Sequence, residues 1–240
     1  KTISFDNGPR FIAALHNPPG RSTGVAPTTT YADLSGESKL TRISAQQQGG
    51  SVVVTATYTG PLKSTKWTIM PGGSTQLEYT YAFDGAVDLL GITFDYPEAD
   101  MKSITWEGWG PYRVWQNRLE GTTLDVWHNT HNDPIPGEQW QYPEFQGYFR
   151  GWQWASFATT QGKITVSNFS DSGSYLGVYT PHDGSVGPLL DLPQTGLAFF
   201  DVIPANRTKF KVQEQLGPQA QSATVSGEKS GKVEFEFSDN

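Results

Sequence analysis

The residues best suited to chemistry in this chain are aromatic. Seven of its eight Trp lie between Trp106 and Trp154. The run 106–121 interleaves rings with guanidiniums and amides, through Trp109, Tyr112, Arg113, Trp115, Asn117 and Arg118. Indole and phenol faces stack on the apolar faces of sugars while planar polar side chains bridge hydroxyls, so such a run suits a carbohydrate. The same residue types are strong strand formers and core fillers. Trp106, Trp127 and Trp154 fall in strand patterns and are expected inside. Trp109, Tyr112, Trp115 and Trp140 lie near Gly and Pro and are expected to meet solvent. Together with Arg113 and Trp152 they form the candidate carbohydrate-binding set. A second group, Arg207, Lys209, Phe210 and Lys211, places three cations and a ring within five residues of an otherwise acidic chain. Guanidinium forks and ammonium charges there would hold a uronic acid, or would face water along a sheet edge. Lys63 and Lys66 beside Trp67 make a weaker basic group with the same two readings.

Other chemistries find less support. Glycoside hydrolysis needs two carboxyl groups roughly 5 or 6.5–9.5 Å apart, and Glu107, Glu120, Asp125, Glu138 and Glu144 offer no spacing that singles out a pair. His128, His131 and Asp133 lack a helix to align them, and without Cys there is no thiolate for zinc. No catalytic residue and no cofactor is therefore expected. A structural Ca²⁺ would belong in the oxygen-rich loops Asn129–Asp133 or Asp171–Ser174. Nucleophile-elbow and phosphate-loop motifs are absent from the sequence.

The elements that must position these residues read as strands. The chain has 240 residues, a net charge of −7, 13% aromatics, 26 Gly, 16 Pro and no Cys. Its length supports a sizeable core without disulfides, its acidity disfavours nucleic acid, and no apolar run approaches the ~18 residues of a membrane helix. Helical periodicity is nearly missing. Alternating segments such as Ser51–Thr59, Leu77–Phe83, Ser103–Gly108, Gly151–Ala158 and Lys163–Phe169 recur between turn residues, which predicts an all-β antiparallel sandwich of about a dozen strands in two large sheets. Asp84-Gly85 reads as a tight hairpin, and Val233–Phe237 as an edge strand. The loops Pro18–Thr30, His128–Trp140 and Pro181–Pro193 are long enough to carry function. No linker divides the chain, so residues 1–240 are read as one domain.

Gly108-Trp109-Gly110-Pro111-Tyr112, followed by Asn117-Arg118-Leu119 and Gly121, resembles the signature of the C-terminal domain of glycoside hydrolase family 2 β-galactosidases. Trp127, Tyr142-Pro143-Glu144 through Gly147, Phe199-Phe200-Asp201-Val202-Ile203-Pro204, Thr208-Lys209-Phe210 and Leu216-Gly217-Pro218-Gln219 follow in the same order as that family's later landmarks. The resemblance spans roughly residues 1–221. It implies a galactose-mutarotase-like supersandwich, with Gly108, Gly110 and Pro111 setting a turn and Arg118 paired internally. Asn117 stands where the family carries an acidic residue. The family's catalytic glutamates sit on a preceding barrel domain, so the resemblance implies a module cut from a larger secreted, cell-surface or periplasmic bacterial enzyme.

Three functions follow from these observations. The first is a carbohydrate-binding module, not an enzyme on its own, that tethers a hydrolase to plant cell-wall polysaccharide, with pectic, galactose-containing chains as the ligand. The second is a domain that buttresses the catalytic barrel of the same parent chain. The third is an independent enzyme with mutarotase- or lyase-like chemistry. Partners are thus a polysaccharide and a barrel domain, with no nucleic acid and no membrane span.

Overall fold

In the computed structural model, residues 3–5, 8–18, 28–130, 146–170, 173–181, 190–208 and 211–239 are described. Apolar–polar alternation and β-branched or aromatic residues turn most of this length into strand: β1 (Arg10–His16), β2 (Thr29–Asp33), β3 (Lys39–Gln48), β4 (Ser51–Thr59), β5 (Leu62–Ile69), β6 (Thr75–Ala82), β7 (Gly85–Val87), β8 (Leu89–Phe94), β9 (Met101–Val114), β10 (Thr123–Thr130), β11 (Tyr148–Thr159), β12 (Lys163–Asn168), β13 (Tyr175–Gly177), β14 (Leu190–Asp191), β15 (Leu197–Val202), β16 (Ala223–Val225) and β17 (Glu228–Ser238). Among the described residues no helix is long and apolar enough to cross a membrane.

Among the described residues, fifteen strands form one sheet, in the order β14-β2-β1-β8-β15-β13-β11-β12-β17-β6-β5-β4-β3, with β9 joined to β11 and β10 to β9. β16 and β7 pair separately. The pairings are antiparallel, β14–β2 excepted. The sheet curls so that β1, β8 and β15 pack against β5, β6 and β17. Rings close the gap: Phe235 of β17 lies 5.6 Å from Phe94 of β8 and 6.2 Å from Phe199 of β15, and Phe11 of β1 lies 5.2 Å from Tyr81 of β6. The two layers of the predicted sandwich are therefore one continuous sheet folded over.

Alternation along a strand sends successive side chains to opposite faces. Phe199 enters the main core and Phe200 enters a second cluster with Ile12, Leu89, Trp115, Tyr148 and Ile203. Both faces of β8 and β15 are thus covered, which explains why apolar residues stand at consecutive positions in each, Leu89-Leu90 and Leu197-Ala198-Phe199-Phe200.

Three local expectations are corrected. Asp84-Gly85 is no hairpin: β6 pairs β5 and β17, β8 pairs β1 and β15, and the dipeptide carries the chain from one half of the sheet to the other. β17 is no edge, because it lies between β12 and β6. Gly108-Trp109-Gly110-Pro111 makes no turn but continues β9. A Cβ on Gly108 would sit 2.6 Å from the Trp106 ring, and one on Gly110 2.6 Å from Trp127. These glycines let indoles approach the backbone.

Phe235 meets two rings of the opposite half, Phe94 and Phe199. Phe235→Ala is expected to cost about 3–5 kcal/mol, read as a lower urea midpoint at unchanged m-value.

Candidate functional site

The outer face of β10, β9 and β11 is a grid fixed by register. Leu124, Trp109 and Arg150 form one row, Val126, Glu107 and Trp154 the next, and His128, Thr105 and Ser156 the third. Residues paired this way share a face. Trp109 is 41% exposed, Leu124 55% and Val126 52%. The Arg150 guanidinium stands 5.6 Å from the Trp109 ring centroid and donates to the Leu119 carbonyl at 2.8 Å. Gly151, at φ +56°, leaves room for the indole: a Cβ there would lie 2.6 Å from Trp109 Cδ1. Trp154 Nε1–H donates to Glu107 Oε2 at 2.7 Å, which fixes both side chains. The grid runs on through Ser167 and Thr165 of β12 to Glu234 and Glu236 of β17. This arrangement offers an open indole, flanking aliphatics, a held carboxylate and a held guanidinium on a broad polar face.

Of the predicted set, Trp109 meets solvent. Tyr112 is half-buried, and its hydroxyl donates to the Glu120 carbonyl at 3.0 Å. The expectation of exposure is corrected for Trp115, whose ring packs edge-on to Tyr148 at 5.9 Å. The Gln116 N–H donates to the Pro204 carbonyl at 3.1 Å, tying this segment down beside the second cluster. Trp152 is buried too, stacked 5.3 Å from Phe199, with Nε1–H donating to the Gly173 carbonyl. Arg113 is buried between Tyr179 and Phe149, its guanidinium 5.4 and 5.9 Å from their centroids. Arg207 is buried with Nη1–H on the Thr208 carbonyl, so it does not face solvent as a docking cation. Lys211 is exposed. Trp140, Lys209 and Phe210 lie outside the described residues, as do Glu138, Glu144, His131, Asp133 and Asp171. Asn117 holds the 203–208 segment through two hydrogen bonds of 2.9 Å to the Asn206 backbone, one given and one accepted. Trp127 is half-buried against the main core, and its Nε1–H donates to the Gly108 carbonyl. Among the described residues no group of three or more His, Cys, Asp or Glu is disposed to hold a metal.

A second polar cluster was not anticipated from the sequence. His16 ends β1, Asp88 separates β7 from β8, and Glu214 lies in a 3₁₀ turn, Gln213–Gln215. His16 Nδ1 is 2.7 Å from Asp88 Oδ2, and Nε2 is 2.5 Å from Glu214 Oε1. The His16 backbone N–H also donates to Asp88 Oδ2, at 2.6 Å. The hydrogen bond to Asp88 raises the His16 pKa above its ordinary 6.5; burial opposes this, and the charges of Asp88 and Glu214 add to it. Tyr31, opposite His16 in β2, has its phenol pKa pushed well up, chiefly by burial and then by the Asp88 charge. One signal was legible: Asp88 interrupts the apolar run Ala86-Val87-Asp88-Leu89-Leu90, and a carboxylate in such a run needs a partner.

No family model matches the chain, and no curated protein matches it. Among solved structures it is similar to one from Escherichia coli K12 described as a "putative aldose 1-epimerase", with 8% identity, a TM-score of 0.36, and coverage of 86% of this chain and 70% of that one. That neighbour bears an enzyme's name, which corrects the expectation that the chain is not an enzyme on its own.

The raised His16 pKa fixes the sign of a pH effect. The folded state holds this proton more tightly than the unfolded chain, so the associated stability is fully present below pH 6.5 and is lost as pH rises through the folded-state value. Urea unfolding from pH 5.5 upward is expected to show wild-type stability declining above pH 6.5, and His16→Gln to flatten that decline. An unchanged slope in the variant would assign the effect to other groups.

Proposed function

We propose that this chain binds a neutral polysaccharide on the outer face of β10, β9 and β11, with Trp109 as the stacking ring. The observation that carries the reading is the exposed Trp109 indole, seated over Gly151 and flanked by Arg150, Glu107 and Trp154. A sugar's C–H face would lie on the indole, while the guanidinium and carboxylate take its hydroxyls. Glu107, Glu234 and Glu236 share the face with Arg150, Lys163 and Lys232, so it offers a polyuronate no excess of cations and suits an uncharged chain. The family 2 resemblance adds the ligand class: galactose-containing side chains of plant cell-wall pectin, met outside a bacterial cell by a secreted hydrolase.

A second role, packing against the barrel domain of the same parent chain, is supported by one feature. On β3, β4 and β5 the apolar residues Leu40, Ile43, Val52 and Ile69 are exposed, with Val52 opposite Ile69 in the ladder. Contiguous apolar surface of this kind suits a domain interface.

Affinity-gel retardation on galactan and other neutral polysaccharides tests the first role. Wild type is expected to be retained, and Trp109→Ala to bind at least about tenfold more weakly, a difference of ~1.4 kcal/mol, at an unchanged melting temperature. Gly151→Ala, which displaces the ring while keeping it, should weaken binding in the same direction. Absence of retention on every neutral polysaccharide would sink the proposal.

A further inference from the structure

The outer face of β5, β6 and β17 carries a cleft of about 450 Å³, and none of the residues around Trp109 lines it. Register explains the hollow. Lys66, Glu78 and Lys232 stand side by side in one row, and Ser64, Thr80 and Ser230 in the next. Long side chains in the first row leave a hollow over the short ones in the second. Thr55, beside Lys66 in β4, and Ser170, just after β12, complete the polar lining.

Lys66 Nζ donates to Glu78 Oε1 at 3.0 Å, whereas the Lys232 ammonium has no hydrogen bond or ion pair among the described residues. Two lysines against one glutamate leave the cleft at +1, on a chain of net charge −7. Glu107 and Glu236 are absent from the lining. Glu234, the next residue on this face of β17, accepts from the Gln76 amide at 2.8 Å. A ring stands beside Lys232 as well. The Phe169 N–H donates to the Lys232 carbonyl at 2.9 Å and continues the β12–β17 ladder, which puts the two side chains on one face. Phe169 is 59% exposed.

We propose that this cleft binds a sugar unit bearing one negative charge, a carboxylate or a sulfate ester, with Lys232 on the anionic group. A charge-assisted hydrogen bond from the ammonium matches that single charge. The Thr55, Ser64, Thr80 and Ser230 hydroxyls each donate and accept, as the hydroxyls of a sugar require, and Phe169 offers a face for its C–H groups. A bare oxyanion satisfies the charge but leaves the hydroxyls and most of the volume unused, since clefts for whole small molecules run from about 300 to 1,000 Å³. A neutral sugar leaves the ammonium unmatched. The site does not depend on the Trp109 reading, because no residue of that stacking site lines it.

The backbone amide resonances of Thr80, Ser230 and Lys232 in an NMR titration of the whole chain report occupancy. Galacturonate or galactose 6-sulfate is expected to shift them saturably at pH 7, and the tighter of the two identifies the anionic group. Galactose lacks the charge and acetate the hydroxyls, so each is expected to act at least about tenfold more weakly. Lys232→Met and Thr80→Val are each expected to weaken the response to the acidic sugar by at least about tenfold, and Trp109→Ala to preserve it. Thr80→Val keeps the β-branched shape, so the test stands should Lys232→Met unfold the chain. Absence of a saturable shift with both acidic sugars overturns the proposal, and so does an equal response to acetate (charge alone) or to galactose (a neutral-sugar site).

Discussion

The curl of one sheet onto itself is the constraint on which everything else in this molecule rests. A fifteen-stranded ladder has no flat solution, because each strand is rotated against its neighbour. Here the accumulated rotation brings β8 and β15 over β17 and β6, and the rings of Phe94, Phe199 and Phe235 meet between them. Aromatic side chains are wide enough to fill the space between layers about 10 Å apart. That demand consumes most of the indoles. Trp106 and Trp152 are committed to the main core, and Trp115 to the second cluster. Which indole is left to solvent is set by parity: Trp109 sits on the outward phase of β9, three residues from inward Trp106.

Parity also explains how far the fold was legible in the sequence. Where one face is buried and the other wet, alternation announces the strand, and Ser51–Thr59 emerges with the bounds that its pattern indicates. The strand β1 has four consecutive buried residues and no such alternation. β3 is exposed along its whole length and carries no apolar phase at all. Pairing partners were less visible than strands. Asp84-Gly85 has the composition of a hairpin, but the partners of β6 are chosen by the long-range match of Leu77 and Tyr79 with Val233 and Gly231. A Cβ on Gly231 would lie 2.2 Å from the Tyr79 ring. That fit is made more than 150 residues along the chain and leaves no local mark.

The candidate site was half legible for the same reason. Clustered Trp and Arg drew attention to β9 and β11, but exposure depends on which residues neighbouring segments cover. Trp115 follows β9 directly and is buried in one cluster with Tyr148 and Ile203, where Asn117 and the Gln116–Pro204 hydrogen bond hold the 203–208 segment. Asn117 does this where the resembling family carries an acid. An amide both donates and accepts, so it grips an N–H and a carbonyl of one residue at once; a carboxylate would serve only the N–H.

The glycines of the Gly108-Trp109-Gly110-Pro111 run complete the argument. Their value lies in what they omit. Gly108 and Gly110 bring the strand backbone against Trp106 and Trp127 on the inner side, and Gly151 on the neighbouring strand opens the space beside Trp109 on the outer side. Three missing Cβ atoms thus seat indoles on both faces of one stretch of sheet. A side chain at any of them would either push a core ring out of its packing or lift Trp109 from its seat beside Arg150. The motif that marks the resemblance is therefore a device for holding rings, and Trp109 is the ring it holds toward water.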